Sequence, residues 1–311
     1  MKLNFYKIGS FLLFIALLQA CGWQNKSADH ARFFAETADT SNLPALPTST
    51  TPEYRQQLIN QENLLPEGKK RHRGIETIPQ DFDDFRFQNL DGVQWQNASV
   101  QYGDFRGTSL RTAIANGGSF SNSDFRLADL RWSAFNKTQM KHCNFSQAVL
   151  FRTAMNDAVL DSSNFRGSNM FGIKGHRSSF RYADFSNALM KESELTDADF
   201  SNSKAIKVQF IITVFAGSRF DSADYSYSDF TGAGLETCSF DFARLHHASF
   251  KGAHLQEASF RNADLKDANF FAAELAETDF SGAINIPEDI LPFMDEQGMA
   301  TGVVFFKNKK E

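Results

Sequence analysis

The sequence has few cysteines, tryptophans and tyrosines, a small net charge and no long apolar run. Three cysteines, Cys21, Cys143 and Cys238, are too few and too far apart for a disulfide framework or a tetrahedral zinc site. A net charge of −5 provides no basic surface for binding nucleic acid. No apolar run reaches the roughly twenty residues of a membrane-spanning helix. Against this background, 33 phenylalanines indicate one structural position that is filled repeatedly.

The amino terminus carries the features of an export signal. Lys2 and Lys7 bound a short positive region, and the apolar stretch over residues 8–18 that follows has the length of a signal-peptide core. The stretch ends at residues 18–21, Leu-Gln-Ala-Cys, which resemble the lipobox of bacterial lipoproteins. This resemblance implies that residues 1–20 are removed, that Cys21 receives the lipid anchor, and, from Gly22, that the anchor lies in the outer membrane. An ordinary secretory signal with an incidental cysteine is the alternative.

Residues 21–80 have the composition of a linker. The Pro/Ser/Thr-rich stretch at 43–52 predicts a mostly flexible tether that would hold the following domain away from a membrane. Apolar spacing over 53–65 allows a short helix, which could cover the amino-terminal end of that domain. The basic cluster at 69–73 is typical of a solvated linker, with contact to anionic lipid as the alternative.

A large apolar residue recurs every five residues over 81–283. Of the forty positions from Phe85 to Phe280, 37 are large and apolar and nineteen are phenylalanine. The residue two places earlier is nearly always small, and Asp or Asn often stands between them, as in Ala183-Asp184-Phe185. A period of five excludes an amphipathic helix and an alternating strand as the repeating unit. It fits a coil with sides five residues long, whose large and small residues both point inward.

This A(D/N)Lxx pattern resembles the pentapeptide-repeat family. The resemblance implies an all-β fold, a right-handed quadrilateral β-helix. Forty pentads give about ten coils, and the flanking segments are predicted to form short helical caps. Residues twenty apart then share a column, which predicts two interior stacks of phenylalanine. One stack contains Phe85, Phe105, Phe125, Phe145, Phe165 and Phe185, and the other contains Phe180, Phe200, Phe220, Phe240, Phe260 and Phe280.

The same five-residue frame places the remaining features of the domain. Cys143 and Cys238 fall on the small inward position in different columns, which excludes a disulfide between them and makes them substitutes for alanine. The small residues Ala115 and Gly175 interrupt one column of large residues and predict a kink or bulge. Residues 284–311 are predicted to form a carboxy-terminal cap, with a helix around 287–295 and a strand at 301–306.

Motifs that carry chemistry are sparse. His246 and His247 occupy an outward turn near His254, and they would bind a metal ion only if a third ligand converged; an exposed turn is the favoured interpretation. We find no nucleophile elbow, no glycine loop for phosphate and no Ser/His/Asp set. We therefore predict no catalytic, metal-binding or cofactor-binding residue, and a protein that is not an enzyme.

Irregular outward positions are better candidates for function. Phe151, Phe171 and Ile211 lie in one outward column, and Ile212 adjoins it, where polar residues normally face water. These four residues predict a surface for a partner or for self-association. The alternative is a local bulge over 204–215 that buries the isoleucines under its own loop.

Two functions from different classes remain open. The first is a lipid-anchored structural or interaction module of the bacterial cell envelope that binds an envelope protein, or itself, and neither nucleic acid nor a small-molecule substrate. The second follows from the family resemblance, because some pentapeptide-repeat proteins mimic DNA and protect type II topoisomerases from inhibitors. DNA mimicry needs a strongly negative surface, whereas residues 81–283 contain 25 acidic and 20 basic side chains. The sequence therefore favours the first.

Overall fold

The structure, a computed structural model, describes residues 70–71 and 78–300. The predicted lipid attachment at Cys21, the tether helix and the strand at 301–306 lie outside the described residues. Within them, two short strands, β1 (Lys70–Arg71) and β2 (Asp83–Asp84), pair in parallel. No helix in this described part is long and apolar enough to cross a membrane.

From β2 onward the chain winds as a β-helix. Every fifth residue forms a parallel bridge to the residue twenty positions later, in an unbroken series from Asp84–Asp104 to Asp264–Ile284. The amide nitrogen of Phe85, for example, donates to the carbonyl oxygen of Asp104 at 2.8 Å. Twenty residues per coil and five per side give four sides. The prediction of a four-sided β-helix is confirmed.

Each side ends in a tight turn. The amide nitrogen of Gln88 donates to the carbonyl oxygen of Phe85 at 3.1 Å, which closes a four-residue turn. The third turn residue, Phe87, has a φ of 59°, and the same position is left-handed throughout the coils. This is the pattern of a type II turn. Two turn residues and a three-residue extended segment make the five-residue period.

Stacks of parallel phenylalanine rings fill the interior. The ring centroids of Phe85 and Phe105 are 4.4 Å apart, and the two planes differ by 3°. Those of Phe220 and Phe240 are 4.6 Å apart with a 5° difference. Every neighbouring pair in both predicted columns is stacked, so these columns are confirmed. Each aromatic pair contributes about 0.5–1.5 kcal/mol beyond the burial of its area.

The small inward position also satisfies backbone carbonyl groups. The hydroxyl of Thr108 donates to the carbonyl oxygen of Phe85 in the previous coil at 2.7 Å. The Cys143 sulfur lies 3.0 Å from the carbonyl oxygen of Phe120 in the same arrangement. Cys143 and Cys238 are buried and unpaired, as predicted. Burial raises the pKa of the Cys143 thiol to about 12, so the thiol stays protonated. Because both sulfurs contact a carbonyl oxygen of the previous coil, the cysteines resemble the serines and threonines of this position more than the alanines that the sequence suggested.

The expected irregularities do not shift the register. Residues 204–215 keep their parallel bridges to both neighbouring coils, so the alternative of a local bulge is wrong. Bridges also continue beside Ala115 and Gly175. A Cβ atom on Gly175 would lie 2.8 Å from a methyl group of Leu195 in the next coil. At Gly175 the side chain of the neighbouring coil therefore fills the space of the missing large residue, and no bulge forms.

The carboxy-terminal end of the coils is covered by an irregular segment. The 3-10 helix Leu291–Phe293 is the one helical element of the predicted cap within the described residues. Met299 then forms an antiparallel bridge with Asp279 in the last coil. A cavity of about 190 Å³ lies between this segment and the last coil, beside Phe271 and Ile290.

Candidate interaction surface

Two turn residues project from each corner of every coil and form two rows along the stack. The apolar corner is defined, level by level, by the pairs Arg131–Trp132, Phe151–Arg152, Phe171–Gly172, Lys191–Glu192 and Ile211–Ile212. The polar corner follows it in each coil and is defined by the pairs Asn116–Gly117, Asn136–Lys137, Asn156–Asp157, His176–Arg177 and Thr196–Asp197. The four residues predicted to form a partner surface all lie on the apolar corner.

An aromatic cluster occupies one half of the apolar corner. The rings of Phe151 and Phe171 stack with their centroids 5.4 Å apart. Trp132, 51% exposed, packs edge-on against Phe151 at 5.7 Å. The guanidinium carbon of Arg152 lies 5.5 Å from the centroid of the Phe151 ring, and that of Arg131 lies 5.7 Å from the Trp132 ring. The cluster is thus a preformed aromatic surface edged by cations.

The isoleucines occupy the other half and do not contact the phenylalanines. Lys191 and Glu192 form the level between the two groups. Ile212 is 49% exposed, and Val214 beside it is 43% exposed. The φ of Ile212 is 56°, a left-handed conformation that is strained for a β-branched side chain. The turn requires a positive φ at this position but not a β-branched apolar residue, so Ile212 adds exposed apolar surface and strain that another residue would avoid.

Sequence reasoning overlooked Trp132 as part of this surface. A search by columns of twenty places Trp132 in the row beside Phe151, not in the same row. Adjacent coils, however, are joined by hydrogen bonds between residues nineteen apart, and the Trp132 amide donates to the Phe151 carbonyl oxygen at 3.0 Å. A search at spacings of both nineteen and twenty would have found it.

The polar corner is built from a ladder of asparagines. The side-chain oxygen of Asn116 accepts a hydrogen bond from the amide nitrogen of Asn136 at 2.8 Å. Asn136 repeats this contact with Asn156 at 2.9 Å, and Asn156 with His176 at 3.0 Å. Outside the ladder, the guanidinium of Arg177 binds the Asp157 carboxylate at 2.7 Å. This hydrogen bond holds the pKa of Asp157 below its ordinary value.

A different side of the coils, which includes Asp104 and Asp124, carries alternating charges. The guanidinium of Arg106 lies 2.9 Å from Asp104 in its own coil and 3.8 Å from Asp124 in the next. Arg126 continues the series with an ion pair of 2.7 Å to Asp124. Because the two signs alternate along the stack, this side does not present a continuous charge of one sign.

The histidines of the predicted turn are held by separate carboxylates. His246 lies 2.6 Å from Asp264, and His254 lies 3.0 Å from Glu274. His247 stacks on Tyr227 with the ring centroids 4.7 Å apart. Among the described residues, no three His, Cys, Asp or Glu side chains converge in a way that could hold a metal ion.

Comparison with protein families identifies the repeat. The model for pentapeptide repeats matches eight copies, within residues 104–141, 176–204, 238–273 and 248–284. A search of curated proteins found no match.

The similar solved structures have low sequence identity to this chain. HetL, a pentapeptide-repeat protein involved in the regulation of heterocyst differentiation in the cyanobacterium Nostoc sp. strain PCC 7120, is 21% identical; the match covers 64% of this chain and 90% of HetL, with a TM-score of 0.31. A trypsin-treated form of QnrB1, a plasmid-mediated fluoroquinolone resistance protein, is 20% identical; the match covers 78% of this chain and 92% of QnrB1, with a TM-score of 0.42.

Proposed function

We propose that this pentapeptide-repeat protein is a non-enzymatic, lipid-anchored interaction module of the bacterial cell envelope. Its β-helix would present the apolar corner to a protein partner. The observation that carries the proposal is the contiguous aromatic cluster of the exposed Trp132 with the half-buried Phe151 and Phe171, on the same corner as the exposed Ile212. Exposed apolar surface costs free energy in water, and contiguous patches of it mark sites of interaction.

A role in binding also agrees with the filled interior of the coils. The inward positions are occupied by close-packed side chains such as Phe125, Leu160 and Phe220, each with no exposed area. A ligand pocket needs a concave cavity of several hundred cubic ångströms, typically about 300–1,000 Å³. The chemistry available on the described coils is therefore that of an outer surface, which recognises a partner and does not enclose a substrate.

The anchor is the part of the proposal that rests on sequence alone. The apolar stretch at 8–18 and the tetrapeptide ending in Cys21 support lipid attachment, and Gly22 supports sorting to the outer membrane. Several acyl chains, at about 0.8 kcal/mol per buried CH₂ group, would hold the protein durably in a membrane. We also propose about ten right-handed coils, the number given by the pentads and the hand implied by the family, with caps formed by 53–65 and 284–311.

Labelling of growing cells with radioactive palmitate tests the anchor. We expect the wild-type protein to be labelled and to fractionate with the outer membrane. The Cys21→Ala variant should lose the label and keep the mobility of the unprocessed chain. Label that persists in this variant would remove lipid attachment at Cys21 from the proposal.

Recognition through the apolar corner is tested by a triple variant. Replacing Phe151, Phe171 and Ile211 by Ser should abolish partner capture or self-association in crosslinked cells. The matched control replaces Tyr182 and Phe242 by Ser, because these exposed aromatic residues lie on another corner. Equal capture by the two variants and the wild type would contradict recognition through this corner.

The DNA-mimicking alternative stays a second candidate. Its support is an acidic excess in residues 221–280, which contain eleven acidic and four basic side chains. Residues 101–180 have the opposite balance, with five acidic and ten basic, so the mimicry would be confined to part of the coils. Inhibition of gyrase supercoiling by the purified mature protein would favour this alternative, and unchanged supercoiling would exclude it.

A further inference from the structure

At each level of the stack, the two residues of the apolar corner are complementary in charge, size or polarity. At the middle level, Lys191 stands beside Glu192, and the ion pairs among the described residues include neither side chain. One coil further along, Ile211 stands beside Ile212. The first row holds the first member of each pair, such as Lys191, and the second row holds the second member, such as Glu192. A two-fold axis parallel to the coil axis would place the first row of one chain against the second row of the other, and each coil would lie at the same height as the identical coil of its partner.

Under this symmetry the middle level becomes a reciprocal pair of ion pairs. Lys191 faces the partner's Glu192, and Glu192 faces the partner's Lys191. Charges that are solvated in the single chain thereby gain opposite charges across the axis. A two-fold axis perpendicular to the coils and centred on this level would instead set Lys191 opposite the partner's Lys191. The charge pattern of the corner itself thus selects the parallel arrangement.

The aromatic levels are complementary under the same operation. Phe151 faces the partner's Arg152, and Arg131 faces the partner's Trp132. Both are cation–π pairs, which already form within one chain at 5.5 and 5.7 Å and would be completed reciprocally between two. The attraction between a guanidinium group and an aromatic ring becomes stronger when water is removed from the pair. Association would therefore strengthen cation–π contacts that already exist within each chain.

The remaining levels are complementary in size and polarity. Phe171 faces the partner's Gly172, which presents no side chain of its own and is bordered by Arg152, whose Cγ would lie 3.2 Å from a Cβ atom at this glycine. Ile211 faces the partner's Ile212, so the strained and exposed isoleucine would be buried. The series continues toward the carboxy terminus, where Phe271 would face the partner's Ala272. Large side chains therefore meet small ones or apolar ones at each of these levels.

We infer that the partner of the apolar corner is a second copy of this chain, bound side by side and parallel about a two-fold axis along the coils. The inference rests on the proposed function in one respect: a parallel dimer directs both amino termini, and so both lipid anchors, toward one membrane. Five levels at about 4.8 Å each form a contact roughly 24 Å long, which is the scale of a small, reversible interface.

Charge exchange at the middle level tests the pairing. The mature full-length chain is measured in non-ionic detergent by sedimentation equilibrium. We expect a monomer–dimer equilibrium that Lys191→Glu and Glu192→Lys each weaken at least tenfold, because like charges then face each other. The double variant restores opposite charges and should return to within about threefold of the wild-type dissociation constant.

The matched control is Glu257→Lys, which makes the same change at the same turn position in the column of Asp197, three coils beyond the polar corner, and should leave the dimer intact. Circular dichroism checks that each variant is folded. A wild-type chain that remains monomeric, single variants that dimerise normally, or a double variant as weak as the single ones would each overturn the inference.

Disulfide crosslinking tests the orientation. Thr231 and Gly232 form the level after the isoleucines, so a Thr231→Cys chain should crosslink to a Gly232→Cys chain when the two carry different tags. A Phe151→Cys chain should not crosslink to the Thr231→Cys chain; if it does, the chains are antiparallel, as the uneven charge along the coils would favour, and the inference is wrong.

The outcomes separate this inference from the proposed function. Loss of palmitate labelling with an intact dimer would contradict only the anchor. A labelled monomer would contradict only the pairing of two copies. Capture of a different protein by the apolar corner of such a monomer would leave the interaction module in place and remove the dimer.

Discussion

The apolar corner and the polar corner share the same backbone, the same turn and the same phenylalanine core, yet they use their side chains differently. On the polar corner, asparagine oxygens accept backbone hydrogen bonds from the next coil, so the side chains stabilise the stack. On the apolar corner, Trp132 and Ile212 expose about half of their surface, and Ile212 is strained as well. One corner therefore contributes to folding, and the other carries a cost that binding would recover.

The largest effect should come from removing what both corners share. Phe220 is fully buried and stacks between Phe200 and Phe240. We expect Phe220→Ala to lower the free energy of unfolding by about 3–5 kcal/mol. Phe242→Ala, at a 65% exposed position, should change it by less than about 0.5 kcal/mol. Denaturant unfolding followed by circular dichroism measures both, and similar values for the two would contradict the description of the interior.

The second prediction concerns the polar corner, where a substitution should lower stability without changing association. Asn136 donates to Asn116 at 3.0 Å and accepts from the Asn156 amide at 2.9 Å. Asn136→Ala removes both contacts and should cost about 1–2 kcal/mol of stability, while the dimer dissociation constant stays unchanged. A loss of association at constant stability would show that the two corners had been assigned the wrong roles.

The third prediction concerns the apolar corner, where a substitution should raise the stability of the fold instead of lowering it. Asparagine tolerates a positive φ better than a β-branched residue, and Asn97, Asn122 and Asn187 occupy the equivalent turn position. Ile212→Asn should therefore stabilise the folded chain by about 1 kcal/mol and at the same time weaken self-association. Thermal unfolding and sedimentation of the same sample measure both quantities. A destabilised variant would mean that Ile212 is there for folding.

The smallest effect concerns acid on the polar corner. The hydrogen bond from Arg177 lowers the pKa of Asp157 below its ordinary value of 3.8, so its stabilising contribution is present above that pH and is lost as the pH falls through the lowered pKa. Asp157→Asn should slightly reduce the drop in melting temperature between pH 7 and pH 3. A larger drop in the variant than in the wild type would contradict this sign.

The period of the sequence predicted much of the fold because the coil repeats one unit. Both phenylalanine stacks and the inward position of Cys143 followed from counting in fives. The bulge over 204–215 was a wrong alternative, because outward residues can change without disturbing bridges made by the backbone. The carboxy-terminal segment follows no repeat, so its short 3-10 helix could not be read from the period.

The candidate surface was only partly predictable. Column counting found Phe151, Phe171, Ile211 and Ile212, but it did not show that the phenylalanines contact each other while the isoleucines lie apart from them. Trp132 was missed because its backbone hydrogen bond joins it to a residue nineteen positions away, whereas the columns are spaced by twenty. The predictions for residues 1–69 remain predictions, and the palmitate experiment is the test of the anchor.

The sequence by itself determined the five-residue period, the inward columns and the identity of the outward residues. These are local properties, since one pentad specifies its own turn and its own inward pair. Only the tertiary structure decided which outward residues become neighbours, how Arg152 and Trp132 meet the Phe151 ring, and that Ile212 stays exposed at a positive φ. The reason is physical: these relations depend on the offset between stacked coils, which the backbone hydrogen bonds set and no single pentad contains.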